Sequence, residues 1–179
     1  KLHQALLDAK VDLICSAGFM RMLTGGFVDR WKNRQLNIHP SLLPAFPGLD
    51  THARALQEGV RIHGCTVHFV RLQMDTGPIV AQAAVPVMPS DTPDTLAARV
   101  LEAEHRLYPH ALRLVASGAV RVEDEDIRFA PPTDTPATLI IHLCGPDRST
   151  VTKASSVNAN SISRQSDWLF AVRRDCSIA

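Results

Sequence analysis

No two cysteines in this 179-residue sequence form a CxxC pair: Cys15, Cys65, Cys144 and Cys176 stand far apart. That excludes a zinc ribbon or a dithiol redox motif and fits reduced thiols in a cytoplasmic protein. No apolar run approaches the roughly 18 residues needed to span a bilayer, so no membrane partner is expected. Charge of one sign is not in excess either, with 19 Lys and Arg against 18 Asp and Glu. Nucleic acid is therefore not an expected partner, and no acidic block forms a solvating tail. No secretory leader is expected, and no internal repeat is evident. An initiator Met is lacking as well. The start at Lys1-Leu2-His3 leads straight into an amphipathic segment, which is read as the sign of a missing N-terminal part. What remains is ordinary: 45% hydrophobic and 21% charged residues, enough for one soluble globular domain with a core.

Along the chain, Leu2, Ala5, Leu6 and Ala9 recur at helical spacing. Val11 to Ser16 is a short apolar run before Ala17-Gly18, as in a buried parallel strand. A short helix is expected from Phe27 to Trp31, with Thr24 as candidate cap. Gln35 to His39 reads as a second strand, stopped by Pro40, and the proline-rich stretch to Gly48 as an ordered loop. Asp50 or Thr51 can cap a helix to Glu58, closed by Gly59. Cys65 to Val70 alternates like a strand, Asp75-Thr76-Gly77-Pro78 is a turn, and Ile79 to Val87 is another strand. Thr92-Pro93 opens the longest helix, with an apolar stripe of Leu96, Val100, Ala103, Leu107, Ala111 and Leu114. Pro109 is expected to kink that helix or break it in two. Ala119 to Val122 and Asp126 to Phe129 form a small hairpin. This alternation predicts an α/β fold with a mainly parallel sheet in residues 1–132. Residues 133–179, rich in Ser, Thr, Asn and Arg with one apolar run at Leu139 to Leu143, read as a loosely ordered extension.

In open α/β sheets ligands bind beyond the carboxyl ends of strands. Asn37 and His39 stand at one such end, Met20-Arg21 follow another, and Asp75 precedes Ile79. An imidazole moves protons near neutral pH, an amide N–H stabilises a carbonyl oxygen gaining charge, and a carboxylate supports the imidazole. Asn37 and His39 are two apart and so share a strand face, as two groups acting on one carbonyl must. The bland alternative is a turn residue, a surface His and an ordinary Asp turn. His52, His63, His68, His105 and His110 are read as structural, with His63 and His68 the best exceptions. Eight histidines raise the question of a metal, but no His pair at i, i+4 accompanies a Glu, and no metal is expected.

The run Leu36-Asn37-Ile38-His39-Pro40-Ser41-Leu42-Leu43-Pro44, followed by Pro47-Gly48-Leu49 and Thr51-His52, resembles the folate-dependent glycinamide ribonucleotide formyltransferases. His63 to Val70, Met74 to Ile79, Ala17 to Arg21 and Glu104 to Pro109 agree with that family in order and spacing, over roughly residues 1–130. The resemblance implies a Rossmann-like formyltransferase fold, incomplete at the N-terminus, working in de novo purine synthesis as a monomer or weak homodimer. It implies that 10-formyltetrahydrofolate is the co-substrate and that the amine of glycinamide ribonucleotide attacks its formyl carbon. Asn37 and His39 would then stabilise the oxyanion, with Asp75 supporting His39 and moving the amine's proton. Met20, Arg21, Met22 and Leu23, with Arg71, Leu72, Gln73 and Met74, would line the folate pocket, and Glu104 with Met20 would meet the nucleotide. Simple core packing is the alternative for residues 20–23, and a solvated helix face for Glu104.

The family's glycine-rich phosphate loop has no counterpart here, so the isolated chain is expected to be inactive; an active preparation of it would overturn that. Residues after about 132 have no counterpart either. Formyltetrahydrofolate deformylase, with water as acceptor, is the nearest rival, but Pro47-Gly48-Leu49-Asp50-Thr51-His52 fits it less well. A methionyl-tRNA formyltransferase would need a basic C-terminal domain, whereas the last 40 residues hold five Lys or Arg. A non-catalytic folate or nucleotide binder would have no use for Asn37, His39 and Asp75 together.

Overall fold

Apolar and β-branched runs bounded by Gly, Pro and Asn produce the strands that carry the polar residues of interest. The computed structural model describes residues 1–19, 21–130, 140–141 and 168–172. Helix α1 (Leu2–Asp8) leads to strand β1 (Leu13–Ala17), helix α2 (Gly25–Arg30) and strand β2 (Gln35–His39). Then come α3 (Thr51–Gln57), β3 (Ile62–Phe69), β4 (Ile79–Pro86) and the long α4 (Pro93–Ala116). Strands β5 (Val120–Glu123) and β6 (Asp126–Phe129) pair with each other. Two short strands, β7 (Ile140–Ile141) and β8 (Trp168–Val172), fall within the expected extension.

The main sheet runs β7-β4-β3-β2-β1-β8. Its α/β character is the expected one, and β1 and β2 are parallel, as are β4 and β7. The parallel expectation does not extend to β3, which is antiparallel to both neighbours, nor to β8 against β1. Residues 70–78 between β3 and β4 are too few for the helical crossover that a parallel connection requires.

One face of the sheet is covered by α4. Its Leu96, Val100, Ala103, Leu107 and Ala111 join Leu36, Ile38, Cys65 and Val67 in the main core, and Val115, rather than Leu114, is the buried member of the last turn. The helix starts on a capping box, Thr92 Oγ1 accepting from Thr95 N and Thr95 Oγ1 from Thr92 N. It is not broken at Pro109. Proline forfeits one bond to the carbonyl four residues back. Pro109 and His105 are both on the exposed side, while the buried stripe holds the other side down. Thr24 and Asp50 stand at the N-cap positions of α2 and α3, but neither side chain makes a capping bond.

The other face of β1 and β2 meets α1 and α2 through a small cluster of Leu6, Val11, Ile14 and Trp31, with Phe27 against it. Trp31 is fully buried and donates Nε1–H to His3 Nδ1 at 3.1 Å. Strand β2 thus lies in mid-sheet between helical layers, and its polar end emerges where they stop.

Candidate active site

Strand β2 places Asn37 and His39 on one face, and β3 brings a third side chain to it, because Asn37 and His68 are cross-strand partners. The β3–β4 register shifts between Val67 and His68, a bulge of the kind that re-aims a side chain beside a site. The turn after β3 then delivers Asp75, in the left-handed conformation at φ 56°. Gly77 makes this approach feasible: a Cβ there would stand 1.7 Å from the Phe69 carbonyl oxygen. Only glycine lets the turn lie so close to the strand it follows.

The four side chains form an open row, Asn37–His68–Asp75–His39. Asp75 Oδ2 is 3.5 Å from His39 Nδ1 and Asp75 Oδ1 is 3.9 Å from His68 Nε2. Asn37 Nδ2 lies 3.3 Å from His68 Nε2, and Gly48 N donates to Asp75 Oδ2 at 2.9 Å. Backbone carbonyls settle the tautomers, since a carbonyl can only accept. His68 Nδ1 meets the Phe69 carbonyl at 3.1 Å, so it carries the hydrogen and Nε2 accepts from the Asn37 amide. Burial lowers the pKa of His68, with the Phe69 carbonyl and Asp75 pulling the other way, which keeps it the neutral acceptor this bond needs. His39 Nε2 likewise donates to the Phe46 carbonyl at 3.0 Å, turning Nδ1 towards Asp75. Among the described residues, Asn37 keeps one amide N–H unspent.

The Pro40–Pro44 segment is fixed from beneath. Thr66 Oγ1 donates to Ser41 O at 2.7 Å and accepts from Leu43 N at 3.0 Å and Gln82 Nε2 at 2.9 Å. Gln82 also donates to Leu43 O at 2.8 Å. These bonds satisfy the polar backbone of a loop that proline bars from helix and sheet. Sequence reasoning missed Thr66 and Gln82, and counted His68 only as an exception; the alternation of β3 with β2 was the available signal for His68.

The segments expected to hold folate lie beside one another. Leu72 methyls come within 4 Å of where a Cβ on Gly25 would be, joining the turn after β3 to the segment after β1. Met22, Leu72 and Met74 are exposed apolar side chains there, with Gln73 and Arg21 exposed as well and Leu23 half-buried. Met20 lies outside the described residues. Arg71 is turned to protein partners: Glu125 Oε2 at 2.5 Å, Asn33 Oδ1 at 2.8 Å and the Val70 carbonyl at 2.9 Å. Glu104, half-buried on α4, has its carboxyl pushed up to about 7 by burial. No hydrogen bond or ion pair among the described residues ties it to Asn37, His39 or Asp75. Among the described residues no group of three His, Cys, Asp or Glu could hold a metal ion. An amide, two imidazoles and a carboxylate in one row can stabilise an oxyanion and relay a proton.

Residues 1–112 match the family model described as Formyl transferase. The chain is 57% identical over 121 residues to the trifunctional purine biosynthetic protein adenosine-3 of Gallus gallus, covering 68% of this chain and 12% of that protein. To the phosphoribosylglycinamide formyltransferase of Escherichia coli (strain K12) it is 46% identical over 113 residues, 63% of this chain and 53% of that one. The chain therefore spans about half the length of this single-function relative. In structure it is similar to phosphoribosylglycinamide formyltransferase from Anaplasma phagocytophilum, with a TM-score of 0.74 at 40% identity, over 79% of this chain and 69% of that one. A formyltetrahydrofolate deformylase from Pseudomonas syringae pv. tomato is similar at a TM-score of 0.68 and 26% identity, over 72% and 43%.

Proposed function

Because the chain belongs to the formyl transferase family, we propose that it carries the catalytic centre for moving the formyl group of 10-formyltetrahydrofolate to the amine of glycinamide ribonucleotide. The observation that carries this reading is the row of Asn37, His68, Asp75 and His39 at the end of β2. The amine attacks the formyl carbon, and the negative charge that develops on oxygen is met by the second N–H of Asn37 and by His39, once its Nε2–H is released from the Phe46 carbonyl. Asp75 supports His39 and takes the amine's proton through a water, passing it on to the folate nitrogen as the carbon–nitrogen bond breaks. Tetrahydrofolate leaves and the amine holds the formyl group.

Met20 to Leu23 and Arg71 to Met74 form the folate pocket in this reading, supported by the contact of Leu72 with Gly25 and by the exposed Met22, Leu72 and Met74. Glu104 takes the amine or ribose end of the nucleotide, as a half-buried carboxyl that a cationic group would return to its charged form.

The second reading, deformylase, has the same centre with water as acceptor and is favoured by the likeness to the Pseudomonas syringae enzyme. A formyl-transfer assay that offers glycinamide ribonucleotide, water and tRNA as competing acceptors separates the two. Formylation of the nucleotide is the expected outcome. Release of formate in its place would move the assignment to the deformylase.

A further inference from the structure

The loop between β2 and α3 reaches two side chains of the site, and an arginine on its far side holds it there. Gly48 N donates to Asp75 Oδ2 at 2.9 Å, and the Phe46 carbonyl accepts from His39 Nε2 at 3.0 Å. Arg54, in the last turn of α3, faces the same loop. Its Nη1 donates to the Pro47 carbonyl at 2.6 Å and to the Leu49 carbonyl at 3.3 Å. Its guanidinium carbon also lies 5.6 Å from the centre of the Phe46 ring. Gly48 has a φ of 79°, a left-handed conformation that glycine takes without strain. In that turn the carbonyls on either side of Gly48 both face α3.

Pro47 O and Gly48 N–H are the two ends of one peptide group. The oxygen accepts from a permanent cation, and the nitrogen donates to a carboxylate. Hydrogen bonds in series polarise one another, so drawing electron density towards the oxygen makes the N–H a stronger donor. The peptide is planar, so fixing its oxygen also fixes the direction of its N–H. The Phe46 carbonyl belongs to the preceding peptide, outside this clamp. The arrangement keeps Asp75 engaged while Phe46 turns away and releases His39, as the proposed reaction requires.

We propose that Arg54 is a positioning residue for Asp75, acting through the Pro47–Gly48 peptide. It orients and strengthens the Gly48 N–H that holds the carboxylate beside His39, and it does so without meeting either substrate. Its consequence for turnover rests on the formyl-transfer reading of the site; the coupling of Arg54 to Asp75 does not.

The test follows amide hydrogen exchange at Gly48 by NMR in the 179-residue chain, for the parent, Arg54→Met, Asp75→Ala and the double variant. Arg54→Met keeps the aliphatic stem and removes the cation. It is expected to speed exchange at Gly48 about tenfold, the low end for losing a bond to a charged group. Arg54→Lys, whose single nitrogen can still reach the Pro47 carbonyl, recovers part of the protection. In the Asp75→Ala background Gly48 has no carboxylate to meet, and Arg54→Met adds little. A residue that merely stiffened the loop would act equally in both backgrounds, and that result would overturn the inference. So would unchanged exchange in Arg54→Met. In the formyl-transfer assay Arg54→Met is expected to lower kcat about tenfold with KM for both substrates little changed. Added guanidinium, entering the open groove lined by Phe46, Gln57, Glu58 and Val60, restores part of the rate. A rise in KM at unchanged kcat would overturn the positioning role. Absence of any transfer by the parent would count against the formyl-transfer reading alone, because exchange at Gly48 reads the coupling independently.

Discussion

Asn37 is held by His68, a residue that never meets the formyl group in the proposed reaction. The Nε2 lone pair of His68 accepts one amide hydrogen of Asn37, so the other points in a fixed direction. The two residues should therefore behave differently when removed. Asn37→Ala is expected to lower kcat about 10²–10³-fold with KM little changed, the loss of one preorganised oxyanion donor at about 2.7–4 kcal/mol. His68→Ala should lower kcat by less, and His68→Gln, whose amide oxygen can still accept, should recover part of it. Steady-state kinetics on the three variants, with KM and kcat separated, checks the order. A His68→Ala enzyme as active as the parent would remove the positioning role.

The elements show which part of the site could be read from sequence and which could not. Strand β2 has the predicted limits because Pro40 supplies no N–H for a ladder, and the same proline marks where polar side chains leave the core. Asn37 and His39 could be placed from their spacing alone. Thr66 and Gln82 could not, because their partners are backbone groups of a loop far away in the sequence. Nor could the direction of β3, since alternation predicts a strand but not its neighbours. Arg71, expected at the folate, is also part of a tie between elements that its sequence position does not reveal. It binds Glu125 in the β5–β6 turn and Asn33 before β2, while Lys32 Nζ reaches Glu125 Oε1 at 2.8 Å. This tie lies at the root of the turn that carries Asp75. Glu125→Ala should speed amide hydrogen exchange across residues 71–76 and raise KM for the formyl donor, leaving the global melting temperature nearly unchanged. Unaltered exchange in that segment would show that the turn is held by Gly77 and Gly48 alone.

At the scale of the whole molecule, acid is the expected weak point. His63 is fully buried, and burial, followed by the nearby charge of His52, lowers its pKa to about 4 from 6.5. The folded state therefore refuses a proton that the unfolded chain takes up between those values. The stability gained from keeping His63 neutral is complete above pH 6.5 and is lost as pH falls towards 4. Urea unfolding at a series of pH values should show a fall of about 2 kcal/mol over that interval, discounted from the full shift for solvent screening. His63→Leu should flatten the curve. An unchanged slope in that variant would assign the acid sensitivity to other groups.

Strand β8 has a consequence for solubility. The outer edge of β1 pairs with β8 along Leu13 to Ala17, and Asp12 N donates to the Val172 carbonyl at 2.9 Å. A chain ending at residue 130 would leave that row of amides and carbonyls bare, in the form that recruits a strand from another molecule. Sedimentation of the shortened chain should show stronger concentration-dependent self-association than that of the 179-residue chain. Strand β8 would then serve as the protein's defence against its own copies.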